Sequence, residues 1–99
     1  MKDKRIFNIN EIITIVMEEV RVKENNMLYG IDEEGNYPKY ICDKFNMLSE
    51  DEFHEFMTII EEIVETISEM KSGELNELNK CHEEIVYIAK DNLNKYMYD

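Results

Sequence analysis

The stretch 49–71, SEDEFHEFMTIIEEIVETISEMK, constrains the fold more than any other part of the chain. Ser49 followed three residues later by Glu52 forms a capping box: the hydroxyl accepts from the Glu52 backbone N–H, and the Glu52 carboxylate reaches back to the Ser49 N–H. Leu48 and Phe53 flank the cap at the spacing of a hydrophobic staple. Phe53, Phe56, Met57, Ile60, Ile63, Val64 and Ile67 then recur at three- and four-residue steps, which predicts an amphipathic helix over 49–71. At about 100° per residue, the opposite face carries Asp51, Glu55, Glu62, Glu65 and Glu69, with Thr58 in the gap and no lysine or arginine among them. Like charges four residues apart cost a helix roughly 0.2–0.5 kcal/mol per pair. That cost makes the acidic face the first candidate for a function.

The chain of 99 residues, 43% of them hydrophobic, makes a single domain over 1–99 with enough apolar side chain for a core. Residues 1–7 read as a short lead-in with a small strand around 5–7. Asn8 and Glu11 form a second capping box, stapled by Phe7 and Ile12. Ile9, Ile12, Ile13, Val16, Met17 and Val20 follow at helical spacing. Ile15 and Val22 are β-branched and fall off that stripe, so a strand over part of 12–22 competes; the cap decides for a helix at 9–24.

Beyond it the period changes. Asn25 and Asn26 break the helix, and the segments 27–31 and 37–42 flank Asp32-Glu33-Glu34-Gly35-Asn36. That loop fits a β-hairpin built on a type I turn, with Gly35 supplying the positive φ. Pro38 keeps its strand at an edge. Leu28, Ile31, Tyr40 and Ile41 are expected against the helices, with Tyr29 and Tyr37 outward. Gly73 suits the left-handed position that ends the 49–71 helix. The short connection makes the next helix, 74–96, an antiparallel neighbour. Leu75, Leu78, His82, Ile85, Val86, Ala89, Leu93 and Tyr96 form its inward stripe. The tail 97–99 is expected to fray unless it docks on another subunit. The expected fold class is α+β, mainly α: a helix, a β-hairpin and two long antiparallel helices, a three-helix packing with a small hairpin.

The formal net charge is −12, and residues 50–84 hold twelve acids against only Lys71 and Lys80. Direct binding to nucleic acid or to an anionic membrane is disfavoured because both carry the same sign. A basic protein partner is favoured. No stretch approaches the roughly 18 apolar residues of a membrane span, and the start has no apolar core of a secretory signal. Cys42 and Cys81 make no disulfide framework. A soluble cytoplasmic protein with reduced thiols is expected, in a host cytoplasm if the source is viral.

The groups that carry chemistry lack the company chemistry needs. His82 stands on an apolar stripe and reads as a core histidine donating to a carboxylate or carbonyl. Asp51-x-x-His54 resembles half of a di-metal carboxylate bundle, which needs Glu-x-x-His on two helices plus glutamates on two others, and the chain contains no second copy. Asp32-x-Glu34-x-Asn36 departs from a calcium loop, with Tyr37 at its sixth position and Asp43 at its twelfth. No nucleophile elbow or phosphate-binding glycine motif occurs. Neither an enzyme nor a cofactor nor a metal is expected.

What remains is the acidic file. Residues four apart on a helix are separated by about 6 Å along its axis. That is comparable with the spacing of phosphates along a nucleic-acid strand. In size and charge the chain resembles phage anti-defence proteins such as anti-CRISPRs, and immunity proteins for toxic nucleases. This implies an inhibitor that occupies the nucleic-acid site of a basic nuclease or effector complex. The expected contacts are Asp51, Glu55, Glu62, Glu65 and Glu69, with Tyr29, Glu33, Glu34 and Tyr37 as a second group. Glu74, Glu77, Glu83 and Glu84 would widen the surface. The alternative is a structural or regulatory homodimer closed by Ile15, Val22, Ile59, Ile88 and the residues 96–98.

Overall fold

The two longest helices begin where their capping boxes place them. The computed structural model describes residues 5–71 and 77–98. Four helices follow in order: α1 Ile9–Tyr29, α2 Lys39–Asn46, α3 Glu50–Lys71 and α4 Glu77–Asn92, with a 3-10 turn at Asn94–Tyr96. At the start of α1, Asn8 and Glu11 exchange hydrogen bonds of 2.8 Å between side chain and backbone in both directions. At the start of α3, the Ser49 N–H donates to Glu52 at 2.8 Å and the Glu52 N–H donates to Ser49 Oγ at 3.2 Å.

Helices α1 and α3 run parallel, and α4 returns antiparallel to α3. Phe7, just before α1, stacks on Phe56 in the second turn of α3, with ring centroids 4.8 Å apart. Tyr96, just past α4, meets the same Phe56 edge-on at 5.5 Å. Ile12, Val16 and Val20 of α1, Ile60, Ile63 and Ile67 of α3, Ile85 and Ala89 of α4, and Leu93 just past α4 are fully buried between these rings and the far end. Ile15 is fully buried too. It falls off a single stripe because α1 packs against both α3 and α4, which widens its buried arc.

Phe7 and the segment 96–98 close on each other. The Phe7 N–H donates to the Tyr96 carbonyl at 3.0 Å, and the Tyr98 N–H donates to the Phe7 carbonyl at 2.9 Å. Met97 is 7% exposed. The small strand expected at 5–7 is a single parallel bridge from Phe7 to Met97. Residues 97–98 are clasped rather than frayed.

The β-hairpin is not formed: among the described residues there is no strand, and the β part of the expected fold class falls away. Asn25 and Asn26 do not end α1, which continues to Tyr29. Gly30 ends it at φ 65, its N–H donating to the Asn26 carbonyl at 2.9 Å. The two asparagine amides reach the returning chain instead, Asn25 to Glu33 and Asn26 to the Ile31 carbonyl. Pro38 is no edge-strand residue. It precedes the first turn of α2, and its carbonyl accepts from the Ile41 and Cys42 N–H groups. The start of a helix tolerates proline because the missing N–H would have no partner there.

Ile41, Phe45 and Leu48 stand at helical spacing, and Ile41 and Leu48 are buried. Leu28, Ile31 and Tyr40, expected to pack, are exposed. Gly35 does not hold a positive φ; among the described glycines only Gly30 does. The helix expected at 74–96 is described from Glu77, stops at Asn92 and tightens into the 3-10 turn. Gly73, Glu74 and Leu75 lie outside the described residues.

Candidate functional site

The buried edge of α3 (Phe56, Ile60, Ile63, Val64, Ile67) turns the other side of the helix to solvent. Asp51, Glu55, Glu62, Glu65 and Glu69 are all exposed there, as are the flanking Glu50 and Glu61. Glu50 and Glu61 belong to the same surface but lie at the edge of the arc set by 100° per residue, where a five-acid file overlooks them. Among the described residues, Asp51, Glu61, Glu62 and Glu65 make no ion pair. The hydroxyls of Thr58 and Thr66 are turned back onto the carbonyls of His54 and Glu62.

Glu55 is different. It accepts from the Tyr96 hydroxyl at 2.7 Å and pairs with Lys95. Lys95 first, and then Tyr96, hold its carboxyl below the usual carboxylate range. It ties the end of α4 to α3 as much as it decorates the acidic face.

The second group divides. Tyr29, at the end of α1, is 70% exposed. Glu34 is exposed as well. Glu33 accepts from Asn25 at 2.9 Å and from Arg21 at 2.8 Å, and these two in that order hold its carboxyl low. Tyr37 is half-buried and its hydroxyl donates to Glu19. Burial, reinforced by Glu19, holds that hydroxyl well above its ordinary range. Glu18 accepts from the Asn36 N–H at 2.8 Å and pairs with Arg21 at 2.6 Å. Glu33 and Tyr37 therefore fasten the segment 30–38 to α1, while Tyr29 and Glu34 face outward.

An open groove of about 310 Å³ runs between α1 and α3. It is lined by Glu19, Val22, Lys23 and Asn26 of α1 and by Glu61, Val64 and Glu65 of α3. Glu61 and Glu65 thus line a depression of mixed polarity that their spacing alone does not reveal.

His82 is half-buried and, among the described residues, its ring makes no hydrogen bond; His54 is exposed. Among the described residues no three His, Cys, Asp or Glu side chains are grouped so as to hold a metal ion. Cys42 and Cys81 are in no disulfide. Ile15, Tyr96 and Met97 lie in the core, and Ile59 and Ile88 pack against it. Of the other apolar residues considered for a twofold interface, Tyr98 is exposed and Val22 lines the groove. No described helix is long and apolar enough to cross a membrane. No protein-family model matches the chain, and it matches no curated protein and no solved structure.

Proposed function

We propose that this chain is a stoichiometric inhibitor. It binds a basic, nucleic-acid-binding protein through the outward face of α3 and occupies the site that nucleic acid would take. The observation that carries the reading is the run of exposed carboxylates on α3, of which Asp51, Glu61, Glu62 and Glu65 make no ion pair among the described residues. A rigid helix presents these charges without the ordering cost that a flexible acidic tail would bear on binding. Tyr29, exposed at the end of α1, supplies an aromatic anchor, which matters because exposed ion pairs alone are worth about 0–1 kcal/mol each. The partner belongs to the class of nucleases and effector complexes. The chain's role is then of the anti-defence or nuclease-immunity kind.

The test is capture from the native host with the wild-type chain and with the double variant Glu62→Lys/Glu65→Lys. Whatever the wild type captures is then assayed for nucleic-acid binding with and without this chain. Charges at the rim of an interface act chiefly on association. The double variant should therefore associate at least about tenfold more slowly at low salt. An unchanged on-rate, or a captured protein that binds nucleic acid equally well in its presence, overturns the reading.

A further inference from the structure

The groove between α1 and α3 lies about one turn short of the end of α1. Val22, Asn26 and Tyr29 stand four and three residues apart on α1, so they form one file along that helix. The first two line the groove. Tyr29 carries the file beyond it, onto a helix end left bare of cover: Met27 is 73%, Leu28 72% and Ile31 48% exposed. Large apolar side chains collected in this way on a monomer mark interaction surfaces.

The end is also held in place. Gly30 caps the helix, the Asn26 amide donates to the Ile31 carbonyl at 3.3 Å, and Asn25 and Arg21 both hold Glu33. An aromatic one turn along α1 from the groove, on a backbone held in this way, costs little to order on binding.

We infer that this groove and the Tyr29 end of α1 dock a basic amphipathic helix of a protein partner. Its apolar side chains lie on Val22, Val64 and Tyr29, and its lysines or arginines meet Glu61 and Glu65. Charge selects this occupant. The lining carries three carboxylates and one lysine, a net −2, and among the described residues its two acids on α3, Glu61 and Glu65, make no ion pair. A second copy of this chain would bring a further net −12 toward them. A cationic helix instead neutralises them, and its long side chains can lay their methylene stems on Val22 and Val64 with the charged heads at the carboxylates. The inference rests on the proposed function for the partner's sign of charge, and it adds how that partner is gripped.

The experiment uses two synthetic peptides of about 16 residues, long enough for four helical turns. One places leucines at helical spacing among lysines. The other has the same composition with the leucines scrambled. Binding to the whole chain is followed by fluorescence anisotropy and by the methyl NMR shifts of Val22 and Val64. The amphipathic peptide should bind at least about tenfold tighter than the scrambled one, a gap of roughly 1.4 kcal/mol, and should move both valines. Tyr29→Ala and Glu61→Lys should each remove most of that preference, whereas Asp91→Lys, a reversal on the exposed end of α4, should leave it intact.

Equal binding of the two peptides, binding of neither, or shifts confined to the outer face of α3 each overturn the inference. So does a dimer in sedimentation that Tyr29→Ala dissolves, since the occupant is then a second copy. None of these results touches the on-rate of the captured partner in the Glu62→Lys/Glu65→Lys variant, so failure here is distinguishable from failure of the proposed function.

Discussion

Glu11 is the acid that the described fold takes inside, at 6% exposure. It accepts from the Asn8 N–H, and both its oxygens lie within 2.7 Å of Lys44 Nζ. An ion pair this enclosed offsets its own desolvation only while both partners are present. Lys44→Met should therefore destabilise the fold by about 1–3 kcal/mol. Adding Glu11→Gln should recover most of that loss, because the stranded charge disappears while the amide oxygen still caps Asn8. A denaturant series on the two variants checks this, and a double variant no better than the single one contradicts it. Half of this site is legible in the sequence: the capping box names Glu11, but its partner lies 33 positions away and nothing local announces Lys44. Gly35 is a similar case. A Cβ there would stand 2.6 Å from Glu19 Oε2 and 2.7 Å from the Tyr37 ring. The glycine is needed for closeness and not for a turn angle, a requirement that only the folded neighbours create. Gly35→Ala should break the Tyr37–Glu19 hydrogen bond, seen as a shift of the Tyr37 ultraviolet absorption and ring resonances, with α3 and α4 undisturbed.

At the scale of elements, the segment 30–38 is held to α1 by polar groups more than by apolar ones. Glu18 and Glu33 both have carboxyls held below the ordinary value of 4.5, Glu18 chiefly by Arg21 and Glu33 by Asn25 and then Arg21. A group whose folded pKa is depressed contributes stability that is fully present above its unfolded pKa and is lost as pH falls through the folded one. The strap should thus be intact at neutral pH and loosen once the pH drops below about 4.5. Amide exchange at Asn36, whose N–H donates to Glu18, reads this directly. Arg21→Ala should make that exchange fast already at neutral pH; slow, pH-independent exchange in the variant would show that the arginine does not hold the strap. These braces explain why the hairpin reading fails. Asp32 to Asn36 has the composition of a turn between strands, and local composition cannot show that its polar groups are spent on α1. The helical spacing of Ile41, Phe45 and Leu48 was the countersignal within the sequence. The long helices were legible because cap, staple and stripe agree over more than five turns.

Over the whole molecule, stability and the proposed binding make opposite demands on the same charges. Glu65 stands four residues from Glu61 and from Glu69 and three from Glu62, all exposed on α3. Glu65→Lys turns these unfavourable pairs into favourable ones, the one with Glu61 in the better orientation. The fold should gain about 1 kcal/mol, which for a domain of this size raises the melting temperature by roughly 4–8 °C. Moderate salt should stabilise the wild-type chain by screening the same repulsion, and should stabilise the variant less. If the acids serve only to keep the molecule dissolved, the variant is simply a more stable protein and its capture of a basic partner is unchanged. If they form the recognition surface, the variant melts higher and associates more slowly. That opposition of sign separates function from solubility without knowledge of the partner's identity. A variant that is both more stable and equally quick to bind would remove α3 from the interface, and a variant that melts lower would show that the repulsion on this face is already relieved within the fold.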